Sequence, residues 1–121
     1  DEFGIMMVCD EVMAGFGRTG KMFAFENFDV KPDIVSFAKG VTCGYVQLGG
    51  VCVSKKIAEY FDDHVLSCGL TYSGHPLACA AGVACLKYYD DAKFSTTLKN
   101  RAMRSEKSLK RSKKNTKSSA M

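Results

Sequence analysis

The sequence predicts an α/β fold with short buried strands, and three observations support this prediction. Apolar runs typical of strands covered on both faces occur at residues 5–9, 34–38 and 48–53. Glycine-rich loops separate these runs. An alanine-rich segment after Pro76 has the small residues of a closely packed helix. With 121 residues and 46% hydrophobic types, the chain can bury one modest core.

The first half of the pattern runs from a strand into a loop. Residues 5–9 predict the first strand. Residues 15–20 predict a loop, because three glycines in six residues suit neither a helix nor a strand. Residues 22–28 predict a short aromatic helical turn, and Pro32 breaks the chain after it.

The second half supplies two more strands and two helices. Residues 34–38 and 48–53 predict strands, with a glycine turn at residues 40–44 between them. Ser54 is suited to cap a helix over residues 55–61. A polar loop at residues 67–74 follows, and Pro76 then suits the first turn of a helix that continues through residues 77–88.

The charge divides the chain near residue 90. Residues 1–92 hold 7 Lys and Arg against 12 Asp and Glu, whereas residues 93–121 hold 10 against 1. We therefore separate an α/β unit at residues 1–90 from a basic, helical-to-disordered tail at residues 91–121. We expect no nucleic-acid binding by this tail, because no aromatic residue is interleaved past Phe94. Asp1 and the strand that follows it almost at once predict a fragment of a longer chain.

The six cysteines predict a reducing compartment, which we take to be the cytoplasm. No two of them form a C-x-x-C pair, and most lie in apolar runs, as Cys52 and Cys79 do. We expect small buried thiols and no metal site, since neither His64 nor His75 has a ligand spacing. The sequence shows no membrane helix and no signal peptide.

The loop at Gly15–Gly20 matches G-x-G-x-x-G, the pattern of a dinucleotide-binding loop. That function needs a long helix after the glycines, and the following segment is short, aromatic and stopped by Pro32. Asp10 and Glu11 would also repel a diphosphate. We favour a tight surface loop that turns the chain away from these acids, in which Arg18 pairs locally. A nicotinamide-dinucleotide-binding oxidoreductase fragment stays the alternative.

Lys39 and Asp10 each end a predicted strand. Spacing alone favours a lysine that reaches into solvent, but a lysine at the carboxyl edge of the sheet can also project into a ligand cleft and form a Schiff base. If the strands run parallel, Asp10 lies at the same edge. A lysine–aldehyde link with an aspartate facing a pyridinium nitrogen is the pyridoxal phosphate arrangement.

Three stretches carry a resemblance to a known family: MVCDEVMAGFGRTG, KPDIVSFAKGVTCGYVQLGGV and GLTYSGHPLACAAG. In this order they resemble the class III pyridoxal-phosphate aminotransferases, or ω-aminotransferases, over roughly residues 3–89. The resemblance implies a fragment of the fold-type-I large domain, covering residues 1–90, in a family that works as a homodimer. It implies transfer of an amino group from an amine or ω-amino acid to a keto acid such as pyruvate or 2-oxoglutarate.

The resemblance also implies roles for individual residues. Lys39 corresponds to the lysine that forms the Schiff base with pyridoxal 5′-phosphate, and Asp10 to the partner of the ring nitrogen. Val12 corresponds to the residue that packs on the ring face. Thr71, with the backbone around Leu70, corresponds to the hydroxyl that reaches the cofactor phosphate of the neighbouring subunit.

The chain departs from the family pattern in two residues and in its extent. Gln47 stands where the family usually has Pro, and Cys68 where it often has His. The family's upstream phosphate loop, its stacking aromatic residue, and its small domain with a carboxylate-binding arginine have no counterpart in these residues. We therefore expect the isolated 121 residues to be inactive.

Overall fold

The computed structural model describes residues 3–91 together with residues 100, 103 and 104. Three strands and two α-helices form in the predicted order: β1 (Val8–Asp10), β2 (Ile34–Phe37), β3 (Gly50–Val53), α1 (Lys55–Tyr60) and α2 (Pro76–Asp91). Two short 3-10 helices span Ala24–Asn27 and Lys39–Thr42. The predicted α/β class is confirmed, and most of the predicted basic tail lies outside the described residues.

The strands form one mixed sheet in the order β1-β2-β3. β1 and β2 are parallel, with Val8 opposite Ile34 and Asp10 opposite Ser36. β2 and β3 are antiparallel. The carboxyl ends of β1 and β2 therefore lie at the same edge of the sheet, as Asp10 and Lys39 require for a shared site.

Backbone pairing sets bounds that the apolar runs do not show. The first run begins at Ile5, but the strand begins at Val8, opposite the start of β2. The third run begins at Leu48, and β3 begins at Gly50, opposite Phe37. A strand exists only where a neighbour completes its ladder, so the outer residues of each run stay irregular.

The expectation of strands buried on both faces is wrong for this chain. Val8 is 61% exposed and Val51 is 62% exposed. The expectation of buried thiols fails for the same reason: Cys43, Cys52, Cys68 and Cys79 are exposed, and Cys9 and Cys85 are half-buried. A strand is buried only if a packed layer covers each face, and the described residues leave these faces open.

The core lies between the glycine loop, the Lys39–Thr42 helix and α2. Phe16, Val41 and Tyr89 are its buried members. Helix α2 approaches closely at Gly82, where a Cβ atom would come 2.8 Å from the Cδ2 atom of Leu48. The small residues of α2 thus permit the close packing that the sequence predicted.

The helix starts are only partly as predicted. Pro76 begins α2, which confirms its place in the first helical turn. Ser54 does occupy the N-cap position of α1, but its side chain makes no capping hydrogen bond. Its buried hydroxyl has no partner among the described residues.

Within the same part of the chain, no helix has the length and apolar character to cross a membrane.

Candidate active site

The candidate site lies where β1 and β2 end. Asp10 is the last residue of β1, and Lys39 follows β2 by two residues. The Lys39 amine, Nζ, lies 2.6 Å from the Sδ atom of Met13, in the loop that leaves β1. The amine of Lys39 therefore reaches across to the segment that begins with Asp10, and the two predicted residues occupy neighbouring positions at one sheet edge.

Two hydrogen bonds orient the Asp10 carboxylate, and both reach its Oδ1 atom. The backbone N–H of Val12 donates at 3.0 Å and the Ser36 hydroxyl at 3.1 Å. Ser36 stands opposite Asp10 in the parallel pair, so the strand register itself brings this donor into place. Asp10 is exposed in this chain, and no hydrogen bond within the described part of the chain occupies its Oδ2 atom.

Lys39 holds an unusual backbone conformation. Its φ angle is +45°, in the left-handed region that residues with a Cβ atom rarely adopt. Such conformations cost of order 1–3 kcal/mol and persist where the surrounding contacts enforce them. The residue after Lys39 is anchored to the core, because the Tyr89 hydroxyl donates a 2.6 Å hydrogen bond to the carbonyl of Gly40. Lys39 is exposed and stands at the start of the 3-10 helix.

The glycine loop packs against the residue after Lys39 instead of forming a phosphate cradle. Phe16 has a φ of +56° and is 8% exposed. A Cβ atom at Gly40 would overlap the Phe16 side chain. No long helix follows the loop, since the next element is the four-residue 3-10 helix Ala24–Asn27. The predicted absence of a long helix after the glycines is confirmed. The loop instead places Phe16 against residues 39–42, which we call the Lys39 turn.

Glu11 has a structural role that the sequence interpretation missed. Its side chain is 3% exposed, and its two carboxylate oxygens accept 2.9 Å hydrogen bonds from the N–H groups of Ala24 and Phe25. The carbonyl of Glu11 also accepts the N–H of Gly15 at 2.8 Å. Glu11 therefore holds the glycine loop and the 3-10 helix together. The sequence gives only a weak indication of this role, namely that Glu11 stands four residues before Gly15.

The structure also places two further predicted residues, Val12 and Arg18. Val12 is half-buried and belongs to the Asp10 loop. Arg18 lines an open cleft of about 390 Å³ with Lys39 and Gly40, and no ion pair of Arg18 occurs among the described residues, so the predicted local pair is not seen.

Thr71 lies apart from Lys39, in an exposed turn. A cleft of about 560 Å³ there is lined by Thr71 and by residues 47–49. The Leu70 N–H donates to the Ser73 hydroxyl at 3.3 Å, whereas the Thr71 hydroxyl has no partner within the described range. A second cleft, of about 460 Å³, is lined by Lys39 and by the same residues 47–49. Residues 47–49 thus line both clefts, while Thr71 and Lys39 each line a different one.

A cluster of two thiols and a phenol lies beneath the Lys39 turn. The Sγ atom of Cys43 is 2.8 Å from the Tyr89 hydroxyl. Either atom can be the donor in this contact, and the Tyr89 hydroxyl also donates a hydrogen bond to the Gly40 carbonyl at 2.6 Å. Burial raises the pKa of Tyr89, and the hydrogen bond with Cys43 raises it further. Burial and the adjacent Cys43 thiol also raise the pKa of Cys85.

The chain belongs to the class-III aminotransferase family, whose family model matches residues 1–120. It is 36% identical over 114 residues to gamma aminobutyrate transaminase 2 of Solanum lycopersicum, covering 90% of this chain and 25% of that protein. This chain therefore spans about a quarter of that curated relative's length.

Solved structures of transaminases share the fold. One is taurine:2-oxoglutarate aminotransferase from Bifidobacterium kashiwanohense, in complex with PLP and glutamate, which is 72% identical with a TM-score of 0.77 over 79% of this chain and 22% of its own. Another is an S-selective transaminase from Arthrobacter sp. with alanine bound, which is 38% identical with a TM-score of 0.83 over 93% of this chain and 24% of its own. The chain is a small α/β part of the PLP fold-type-I architecture that these proteins share.

Proposed function

We propose that this chain supplies part of the active site of a pyridoxal-phosphate-dependent transaminase. The observation that carries the proposal is the placement of Lys39 and Asp10 at adjacent carboxyl ends of two parallel strands, with the Lys39 amine over the loop that Asp10 begins. An amine that can link to an aldehyde and a carboxylate that can pair with a ring N–H are the two groups that pyridoxal 5′-phosphate requires. The residues present fit the cofactor.

Each residue has a distinct role in this proposal. When bound, pyridoxal 5′-phosphate supplies an aldehyde carbon and a ring that withdraws electrons from the substrate. Lys39 would hold the cofactor through a covalent link to that aldehyde carbon, and its amine, once the substrate amine has displaced it, would carry the proton of the amine-bearing carbon. Asp10 would accept a hydrogen bond from the ring N–H and favour its protonated form. Val12 would pack against the ring.

The Ser36 hydroxyl and the Val12 N–H both bind Oδ1 of Asp10, and this supports the role of the carboxylate. They fix the side chain through one oxygen and leave the other for the cofactor. An exposed carboxylate without such bonds would sample several rotamers, and cofactor binding would then cost the entropy of fixing one of them. The strand register thus pre-organises the acid that the chemistry needs.

Thr71 belongs to the proposal through a second subunit. Its hydroxyl lies apart from Lys39 in this chain, in the exposed turn where Leu70 and Ser73 are hydrogen-bonded to each other. We assign Thr71 to the cofactor phosphate of the neighbouring subunit in a homodimer. A hydroxyl without a partner in an exposed turn is suited to that contact.

The substrates we propose are an amine or ω-amino acid donor and a keto acid acceptor, either pyruvate or 2-oxoglutarate. Taurine and 2-oxoglutarate are the first pair to assay, because the 72% identical structure is that of a taurine:2-oxoglutarate aminotransferase. Both are small molecules. The six free cysteines favour a reducing compartment, and the cytoplasm is the one we propose.

The test is reductive trapping followed by peptide mapping, with the protein expressed from its complete reading frame. The protein is mixed with pyridoxal 5′-phosphate, reduced with borohydride and digested. We expect a pyridoxyl label on Lys39 and none in Lys39→Ala, which should fold as the parent does. Lys55→Ala is the matched control, since Lys55 is exposed and pairs only with Glu59 within the described chain. A label on another lysine in the parent protein contradicts the assignment.

A second measurement tests Asp10 separately. Asp10→Asn should keep the covalent link to Lys39, because the amine is unchanged. It should slow the half-reaction with taurine by about a hundredfold, as loss of a positioned charge that acts in the transition state commonly does. Asp63→Asn, in an exposed loop, should leave the rate unchanged. A near-parental rate in Asp10→Asn refutes the role of the carboxylate.

A further inference from the structure

Two thiols from distant parts of the sequence meet beneath the Lys39 turn. Cys43 ends the Lys39–Thr42 helix, and Cys85 lies in α2, one helical turn before Tyr89. The Cys43 Sγ atom contacts the Tyr89 hydroxyl at 2.8 Å, and Cys85 packs against the core cluster to which Tyr89 belongs. The Cys43 thiol is near enough to raise the pKa of Cys85. Because 42 residues separate the two cysteines in the sequence, tertiary packing and not local chain geometry brings them together.

The two thiols differ in their access to solvent. Cys43 is exposed, whereas Cys85 is half-buried. Within the described chain, Cys43 is therefore the more accessible thiol of the two, and Cys85 is the nearby second thiol. This combination of one accessible cysteine and one adjacent resolving cysteine is typical of thiol pairs that oxidise reversibly.

We propose that Cys43 and Cys85 form a reversible intramolecular disulfide when the protein meets a peroxide. The Cys43 thiolate attacks one peroxide oxygen, the O–O bond breaks, and hydroxide leaves and is protonated to water. This gives a sulfenic acid at Cys43. The Cys85 thiol then attacks that sulfur, the S–O bond breaks, and a second water leaves with the thiol proton. Two thiols are oxidised and one hydrogen peroxide is reduced to two waters.

The bond would act on the turn that carries Lys39. Cys43 donates its N–H to the Gly40 carbonyl at 3.2 Å, and Tyr89 donates to the same oxygen. A disulfide would replace the hydrogen bond between the Cys43 thiol and the Tyr89 hydroxyl by a covalent bond between the end of the 3-10 helix and α2. The oxidised chain thus holds the turn after Lys39 by a different set of bonds than the reduced chain.

The test is oxidation of the native full chain with one equivalent of hydrogen peroxide. Free thiols are then blocked with N-ethylmaleimide, and the protein is digested without reduction and mapped by tandem mass spectrometry. We expect a Cys43–Cys85 link about tenfold more abundant than any other pair, because the two thiols have a high effective concentration. The intact mass should fall by two hydrogen atoms, and dithiothreitol should restore it.

Single substitutions decide which thiols take part. Cys43→Ser and Cys85→Ser should each abolish the link, and Cys52→Ser and Cys79→Ser, at two exposed positions, should each retain it. A link between any other pair, a link only between two molecules, or full alkylation of both thiols after peroxide overturns the proposal. The experiment needs no cofactor, so its failure would leave the transaminase proposal untouched.

Discussion

Replacing Glu11 by Gln should loosen the join between the glycine loop and the 3-10 helix that follows it. The Glu11 carboxylate accepts two N–H donors at 2.9 Å and is 3% exposed. A glutamine keeps one acceptor oxygen and turns an NH2 group toward the other donor. A hydrogen bond to a charged group contributes about 1.5–3 kcal/mol, so loss of one should cost about 2 kcal/mol.

Amide hydrogen exchange measures this loss where it occurs. A change of about 2 kcal/mol in local opening corresponds to roughly thirtyfold faster exchange at Ala24 and Phe25. Glu26→Gln is the matched control, because Glu26 is exposed and accepts a single backbone bond from Phe23. It should accelerate exchange only about twofold. Equal effects of the two substitutions would refute the view that burial makes Glu11 the structural acid.

Three further predictions concern the site and its core. Gly40→Ala should lower the free energy of unfolding by about 1–3 kcal/mol in urea, because the added methyl group would overlap the Phe16 side chain. Gly69→Ala is the control and should have little effect, since nothing in the described part of the chain lies near its Cβ position. Ser36→Ala should slow the half-reaction about fivefold by releasing Asp10, and Ser36→Thr should restore it; an unchanged rate in Ser36→Ala contradicts the positioning role. Because the pKa of Cys85 is raised, less of its thiolate forms at a given pH. The alkylation rate of Cys85 should therefore rise at a higher pH than that of free cysteine. A pH profile like that of free cysteine would contradict this prediction.

The order of elements could be predicted because each has a local cause. Short apolar runs specify strands, Pro76 begins a helix, and three glycines specify the loop at Gly15–Gly20. The parallel pairing of β1 and β2 was a condition of the shared site, and the structure confirms it. A local feature also argues against a dinucleotide site, because no long helix follows the glycines; the next element is the 3-10 helix Ala24–Asn27.

Burial could not be predicted in the same way. An apolar run such as residues 5–9 shows what a strand is suited to pack against, but it does not show whether the covering layer lies within the same 121 residues. Ile5 is 76% exposed and Val51 is 62% exposed. The same holds for the cysteines, since apolar neighbours in the sequence do not determine whether a thiol is buried.

The fine structure of the site depends on contacts between distant residues. Glu11 reaches donors 13 and 14 residues away, and Tyr89 reaches Gly40 across 49 residues. No periodic pattern encodes such pairs. Ser36 is different, because its register opposite Asp10 follows once the parallel pairing is known. The sequence therefore predicts the placement of Lys39 and Asp10 at one sheet edge better than it predicts the residues that hold them.

A crystal structure of the complete protein with pyridoxal 5′-phosphate tests the central claim most directly. We predict continuous density from the Lys39 amine into the cofactor, and an Asp10 carboxylate oxygen within about 3 Å of the ring nitrogen at the opposite end. Density that joins the cofactor to another residue, or a ring nitrogen with no contact to Asp10, would contradict the proposal that these two strand ends form one site.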